Sequence, residues 1–366
     1  MQSSIRLSPH SVQTDRDYSL DILRIISIIG VVAIHVIGLV LGNKEITGSG
    51  DWWGAVILDI GFVWVVPVFI MISGAFTLRP TAHALGPMEF YKKRIARLLP
   101  ALIAWHLIYI VGFRVLIDGE RLVSKGMLVT ILDAKPFTAL YFFWVILGLY
   151  LVAPVFAAFL HQGGRRRWII TALIATSWGF SVYMLPSIFR MLDAERGFSL
   201  NILTYFIPFV GYYLLGFALH KIVLSRKSVM LLVVAVLCSI SLAIFMYGAQ
   251  RLGVDFGLLG ILNPPNETSI GIFIVSCGIF LIVQNLKVFV LPNEKLRSLI
   301  ITLSSASFGV FLIHLLFLRL IYFVVPNETI EASLGNALIA FIVIVMLSFG
   351  SVILLSKIPY VRRIIS

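Results

Sequence analysis

Two basic residues in the first apolar segment have a spacing that would suit chemistry inside a membrane. Arg24 and His35 are eleven residues apart, and steps of about 100° bring such residues to one face of an α-helix, about 16 Å apart along its axis. Ionisable side chains within apolar segments are costly, which makes them candidates for function. A neutral imidazole at this depth suits a general base. Each residue also fits a structural role, as a snorkelling anchor or as an interhelical hydrogen-bonding group.

A second basic motif lies directly before the third apolar segment. Arg94 and Arg97 stand in the sequence KKRIAR, which precedes Leu98. If this stretch is helical, the two arginines are i,i+3 neighbours and project to one side. Two forked, permanently charged donors suit a phosphate or pyrophosphate group. The alternative is a basic cluster that only orients the protein in the membrane.

The amino-acid composition indicates the kind of secondary structure that positions these residues. Hydrophobic residues make up 60% of the 366-residue chain, charged residues make up 13%, and the mean hydropathy is +1.01. Soluble globular proteins are about 45–50% apolar and about 25% charged. A soluble enzyme, a soluble nucleic-acid-binding protein and a disordered chain are therefore excluded. The composition predicts an all-α polytopic membrane protein.

The predicted spans are apolar runs of about 20 residues, the length that crosses a bilayer. No linker separates them, so a single bundle of about ten transmembrane helices is expected, with an N-terminal segment at 1–18, a membrane domain at 19–356 and a tail at 357–366. The runs are Ser19–Leu41, Trp53–Leu78, Leu98–Ile117, Leu140–Leu160, Ile169–Leu185, Ile202–Leu219, Val229–Tyr247, Ser269–Leu286, Leu299–Val325 and Leu334–Leu355.

The charge pattern predicts the orientation of this bundle. The net charge is +12, and most basic residues fall at the chain termini and at alternate junctions between runs. This is the distribution that places basic loops in the cytoplasm, so both termini are expected to be cytoplasmic. No nucleic acid is needed to explain the charge, and membrane lipids are the expected surroundings. Cys238 and Cys277 both lie in apolar runs, so no disulfide framework and no metal site are predicted.

Four stretches in order resemble the membrane acyltransferase family 3, the bacterial inner-membrane O-acyltransferases that modify cell-surface glycans. The first is similar to the family's motif of an arginine, ten residues and a histidine, and the third to its Arg-x-x-Arg motif. The other two resemble the end of its second helix and one of its late helices. The stretches are Leu20–His35, Val66–Gly74, Arg94–Pro100 and Ser307–His314.

The resemblance implies a reaction and roles for four residues. His35 would be the catalytic residue, and Arg24, Arg94 and Arg97 would help to hold an acyl-CoA donor, with acetyl-CoA as the first expectation. The acceptor would be a hydroxyl of a cell-envelope glycan or of its lipid-linked precursor, at the bacterial inner membrane. General base catalysis by His35 is the favoured mechanism, and a covalent acyl-histidine is the alternative.

Four further polar residues are candidates for substrate binding. His314 is expected at a depth similar to that of His35, although an interhelical hydrogen bond explains it equally well. Asp59 is expected to pair with a cation. Asn266 and Glu267 are placed at a loop end where they could contact a sugar, although an ordinary loop end explains them better. His106 is interpreted as structural. The competing function is a transporter or a flippase for a lipid-linked sugar or an anion, which the same intramembrane charges would also suit.

Overall fold

The computed structural model describes residues 16–122, 125–133, 140–192, 200–264, 266–286 and 293–365. Helices account for nearly all of the secondary structure, and these ranges contain no β-strand. Most of the predicted N-terminal segment lies outside the described residues. The helices are α1 (Tyr18–Ile37), α2 (Gly50–Phe62), α3 (Val65–Thr77), α4 (Pro80–His83), α5 (Pro87–Leu107), α6 (Lys125–Leu132), α7 (Tyr141–His161), α8 (Arg165–Met191), α9 (Val210–Leu219), α10 (Arg226–Arg251), α11 (Leu258–Leu262), α12 (Ile270–Asn285), α13 (Glu294–Ile321), α14 (Asn327–Glu331), α15 (Leu334–Leu355) and α16 (Pro359–Ile365).

Helices lie at each of the ten predicted runs, which confirms an all-helical membrane protein. Within the described ranges, seven helical segments are long and apolar enough to cross a membrane, and two shorter apolar helices accompany them. The predicted run from Ile202 becomes α-helical only at Val210, after turns at 202–206 and a 3₁₀ segment over Ile207–Phe209. Pro208 accounts for this late start, because proline is accepted in the first turn of a helix but not in its interior.

Helix α1 occupies the centre of the bundle. It packs against α2, α3, α12, α13 and α15, and Leu20, Leu23, Val32 and Val36 on it are fully buried. The Asp17 side chain begins the helix by accepting a hydrogen bond from the Leu20 amide, as is usual for an N-cap aspartate. The helix that carries Arg24 and His35 is therefore held by neighbours on several sides.

Helices α3 and α9 touch through two glycines. A Cβ atom at Gly74 would lie 1.8 Å from the carbonyl oxygen of Tyr213, and one at Gly216 would lie 1.9 Å from that of Met71. Small residues allow helix backbones to approach this closely in membranes. The Thr77 and Tyr213 hydroxyls also form a hydrogen bond between the two helices. This contact holds the short helix α9 inside the bundle.

Three basic side chains bind the carbonyl groups at the end of α3. His83 donates to the Thr77 carbonyl and His161 to the Leu78 carbonyl, each at 2.8 Å, and Arg79 donates to the Ala75 carbonyl at 2.7 Å. The last carbonyls of a helix have no partner within it and carry partial negative charge. These bonds therefore fix the turn that follows α3 and the side chains on it.

The α3–α9 contact predicts a loss of stability when either glycine gains a methyl group. Gly74→Ala and Gly216→Ala should each cost about 1–3 kcal/mol or more, because the added atom meets backbone that cannot rotate away. The measurement is the Tm of the purified protein in detergent. Gly350→Ala is the matched control, since nothing lies within 4 Å of a Cβ at that position in α15. Equal Tm values for the three variants and the wild type would contradict this packing.

Candidate active site

Helix α1 carries the first pair of predicted site residues without a break between them. Arg24 lies near its start and His35 near its end, within one continuous α-helix. The helical rise then separates them by about 16 Å along the axis, on one face, as the sequence predicts. We refer to the end of the bundle at which Arg24 lies as the arginine end.

Arg24 is tied to its neighbours by a carboxylate and a hydroxyl. Its Nη1 atom lies 3.8 Å from Asp21 Oδ1 and 3.4 Å from Ser304 Oγ on α13. Ser304 donates to the same Asp21 oxygen at 2.6 Å, and Arg16 contacts the other Asp21 oxygen at 2.6 Å. The Arg24 side chain still keeps 31% of its surface exposed. This network orients the guanidinium while it stays accessible.

A fourth arginine, which the sequence analysis does not single out, lies beside Arg24. The guanidinium carbons of Arg24 and Arg79 lie 5.6 Å and 4.4 Å from the centre of the Phe76 ring, respectively. Both distances are typical of cation–π contacts. In the sequence, Arg79 is one of the basic residues between apolar runs that orient the chain in the membrane. The only nearby feature that could have indicated a site role is Phe76, three residues earlier. It belongs to the candidate site because α3 ends next to α1.

Asp17 and His220 form a second link at this end. His220 Nε2 lies 3.0 Å from Asp17 Oδ2 and 3.4 Å from Arg79 Nη2. Burial alone would raise the pKa of the Asp17 carboxyl, but hydrogen bonds from His220 and Ser19 lower it to about 2. Asp17 is therefore a carboxylate at neutral pH, and it connects the start of α1 with the end of α9.

Arg94 and Arg97 both lie in α5, one turn apart, as predicted. Arg94 lies over two rings, 5.5 Å from the centre of Phe90 and 5.6 Å from that of Tyr150. Arg97 is exposed, and it is close enough to Arg24 for their charges to repel each other. Neither Arg94 nor Arg97 forms an ion pair within the described residues. The arginine end thus brings four guanidinium groups together, and two of them, those of Arg94 and Arg97, have no carboxylate partner in the described ranges.

Two histidines meet deeper in the bundle. The ring centres of His35 on α1 and His314 on α13 lie 5.3 Å apart, with the planes inclined by 35°. His314 is completely buried, whereas His35 is only partly so. Contact with a fully buried partner places one side of the His35 ring against the interior of the bundle. The predicted similarity of their depths is confirmed.

The hydrogen bonds of His314 define its free nitrogen. Nδ1 lies 2.8 Å from the Phe311 carbonyl and 3.2 Å from that of Val310, both in its own helix. A nitrogen against a carbonyl donates, so Nε2 of the neutral ring is an acceptor. In the described part of the chain that buried Nε2 atom has no partner. The interhelical hydrogen bond considered for His314 is therefore not formed.

The other predicted site residues lie apart from this pair or lack the expected partner. The Asp59 carboxylate lies against Gly38, the residue that follows α1, where an added Cβ would be 2.9 Å from Oδ1. No cation pairs with Asp59 among the described residues, so the expected pair stays a prediction. This position does put a carboxylate about one helical turn beyond His35.

Asn266 and Glu267 stabilise the turn before α12. Asn266 Oδ1 accepts hydrogen bonds from the backbone and side chain of Thr268, at 2.9 and 2.6 Å. The Glu267 carbonyl accepts one from the Tyr212 hydroxyl at 2.6 Å. Burial raises the pKa of the Glu267 carboxyl. Neither residue contacts His35 or His314 in these bonds, and a role for them in sugar binding stays a prediction.

This arrangement separates two chemical environments along α1. One end offers guanidinium groups to an anion, and the interior offers two imidazoles in an apolar setting, which suits proton transfer. The described residues contain no group of three or more histidine, cysteine or acidic side chains that could hold a metal ion.

A family model for the acyltransferase domain matches residues 17–356. Among curated proteins and among solved structures, none is similar enough to this chain to count as a match. The matched region begins with the N-cap of α1 and extends past the end of α15, so it contains Arg24, Arg79, Arg94, Arg97 and the histidine pair. A transport protein is not what this match describes. The chain belongs to membrane acyltransferase family 3.

Proposed function

We propose that this membrane acyltransferase moves an acyl group, with acetyl as the first expectation, from acyl-CoA to a hydroxyl of a cell-envelope glycan or of its lipid-linked precursor. The observation that carries the proposal is the histidine pair inside the bundle, because its member His35 shares the central helix α1 with Arg24, which lies in the arginine cluster. The bacterial inner membrane is the proposed location, with the arginine end toward the cytoplasm, where the basic loops of the charge pattern belong.

The arginine end suits the phosphates of the donor. Forked guanidinium groups bind phosphates through paired, charge-assisted hydrogen bonds. Among the described residues, Arg94 and Arg97 have no carboxylate partner that a phosphate would have to displace. We add Arg79, which lies beside Arg24, to the predicted phosphate-binding arginines. The nucleotide part of acyl-CoA would bind here and leave the thioester to extend into the bundle.

The axial distance along α1 fits the reach of such a donor. Arg24 and His35 are separated by about 16 Å of helix, a length similar to that of an extended pantetheine arm. A donor held by its phosphates at the arginine end would therefore present its thioester carbonyl near the histidine pair. The acceptor would approach this depth from the opposite side of the membrane.

His35 acts as a general base in the proposed reaction. Its neutral imidazole takes the proton from the acceptor hydroxyl as the oxygen forms a bond to the thioester carbonyl carbon. The carbon–sulfur bond breaks, and the protonated imidazole returns the proton to the departing thiolate, so that CoA leaves as a thiol. The reacting hydroxyl donates its one proton to His35, and His314, whose Nε2 is free to accept a hydrogen bond, positions the acceptor through a second hydroxyl.

Replacing the base should abolish transfer without weakening donor binding. His35→Ala is expected to lower the transfer rate by about 10²–10⁴-fold, the range for losing a general base. The measurement is transfer of labelled acetyl groups from acetyl-CoA to envelope glycans in purified membranes, with acetyl-CoA affinity measured separately by calorimetry. His161→Gln is the histidine control, because glutamine can still donate to the Leu78 carbonyl. Unchanged transfer in His35→Ala would refute the role of His35.

Removing an arginine should weaken binding of the acyl-CoA donor without slowing the chemical step. Arg94→Ala and Arg97→Ala should each raise the KM for acetyl-CoA by about tenfold or more, the value of a charge-assisted hydrogen bond, with little change in kcat. Lys93→Ala is the matched control, since it removes the same charge from the same turn of α5 without removing a guanidinium group.

A truncated donor makes this prediction specific to phosphate. Acetyl-pantetheine carries the same thioester but lacks the nucleotide phosphates, so the arginine variants and the wild type should use it equally poorly. If the arginine variants lose activity to the same degree with both donors, the arginines do not bind the phosphates.

A further inference from the structure

His106 and Trp144 meet between α5 and α7, outside the histidine pair. His106 lies in the last turn of α5 and Trp144 in the first turn of α7. Their ring centres are 5.8 Å apart and the rings meet edge to face, at 82°. His106 is interpreted from the sequence as a structural residue, and one of its nitrogens has such a role. The other nitrogen does not.

Each of the two rings buries one polar atom without a partner. His106 Nδ1 donates to the Leu102 carbonyl at 2.8 Å, which leaves Nε2 of the neutral ring as an acceptor. This Nε2 and the Trp144 Nε1–H group are both buried and unpaired within the described residues. An unmet hydrogen bond in such a place is destabilising. Two unpaired polar atoms on rings that contact each other therefore need an explanation.

The two unpaired atoms are complementary. The imidazole nitrogen lacks a donor, and the indole N–H lacks an acceptor. A hydroxyl group meets both needs, because it donates one hydrogen bond and accepts others. An anion would satisfy only the indole and a cation only the imidazole. The pair therefore selects a neutral group with both functions.

The backbone next to His106 is also unusual. A π-helical segment, Ile108–Val115, follows α5 directly. Such segments are rare and occur frequently at functional sites. The wider turn begins two residues after His106, which is an observation independent of the unpaired atoms.

A line of rings connects this pair with the proposed catalytic histidines. Phe143 lies 5.9 Å from His106 and 6.4 Å from Phe311, centre to centre, and Phe311 lies 6.1 Å from His314. Aromatic side chains with one polar atom are well suited to a ligand that is apolar on one side and polar on the other. A sugar ring and a pantetheine arm both have this character.

We infer that His106 and Trp144 form a binding subsite for a neutral substrate group that both donates and accepts a hydrogen bond, such as a sugar hydroxyl. The inference deepens the proposed function and rests on it. Two substrates carry such a group: the glycan acceptor, through its hydroxyls, and acyl-CoA, through the hydroxyl and amides of its pantetheine arm. His106 is nine residues beyond Arg97, or about 14 Å of helix, which is within reach of either.

Two conservative variants test the subsite. Trp144→Phe keeps an aromatic ring and removes only the N–H group. His106→Asn keeps a donor for the Leu102 carbonyl and removes the nitrogen that has no partner. Each should raise the KM of one substrate by about tenfold, as expected for one lost hydrogen bond. A rise for the acceptor assigns the group to the glycan, and a rise for acetyl-CoA assigns it to the pantetheine arm.

A double variant shows whether both atoms bind the same group. If they do, Trp144→Phe combined with His106→Asn should cost less than the product of the two single effects, because the second loss removes an interaction already weakened. If the double variant raises the KM by the product of the two single effects, the two atoms act separately, and the proposal of a single subsite is wrong.

A stability measurement separates binding from a structural role. Trp144→Phe should leave the Tm unchanged or higher, because its N–H bonds to nothing in the described chain. Trp168→Phe is the matched control, since Trp168 donates to the Leu160 carbonyl at 2.7 Å, and it should lower the Tm without changing either KM. A wild type that transfers no acyl group would refute the proposed function. Transfer by the wild type with unchanged KM values in both variants would refute only the subsite.

Discussion

The cost of placing ionisable groups in a membrane governs this structure. A charged or hydrogen-bonding side chain in the apolar region must face other protein or an internal space. Helix α1 satisfies this requirement by lying at the centre, with neighbours on several sides. Its cationic residue, Arg24, lies near one end, and its histidine lies at depth against another buried histidine. The position of α1 therefore determines where charge and proton transfer can occur.

The supporting contacts act mainly on the arginine end. Asp17 links α1 to His220, and Asp21 with Ser304 holds Arg24 against α13. The carbonyl groups that end α3 are bound by His83, His161 and Arg79. These carboxylates and carbonyls orient the cations of α1 and of the turn after α3, while Arg94 and Arg97 on α5 keep their charge available for a ligand.

The sequence predictions that the structure confirms rest on the periodicity of the α-helix. Eleven residues on a continuous helix determine both the face and the separation of Arg24 and His35, and the i,i+3 spacing does the same for Arg94 and Arg97. Features set by tertiary packing could not be found this way. Arg79 joins the site only because α3 ends beside α1, and the late start of α9 depends on how Pro208 is accommodated. The unpaired atoms of His106 and Trp144 depend on two helices that are distant in sequence coming together.

The hydrogen bonds also distinguish the two histidines of the pair. His314 Nδ1 is bonded to carbonyls of its own helix, so its tautomer and ring orientation are fixed and only Nε2 is left to meet a substrate. His35 forms no such bond within the described residues and keeps part of its surface accessible. A base must take up a proton and give it back within one reaction. His35 is free to take up the proton and to release it. The bonds of His314 Nδ1 leave its Nε2 as a hydrogen-bond acceptor, which suits a residue that positions the substrate beside His35.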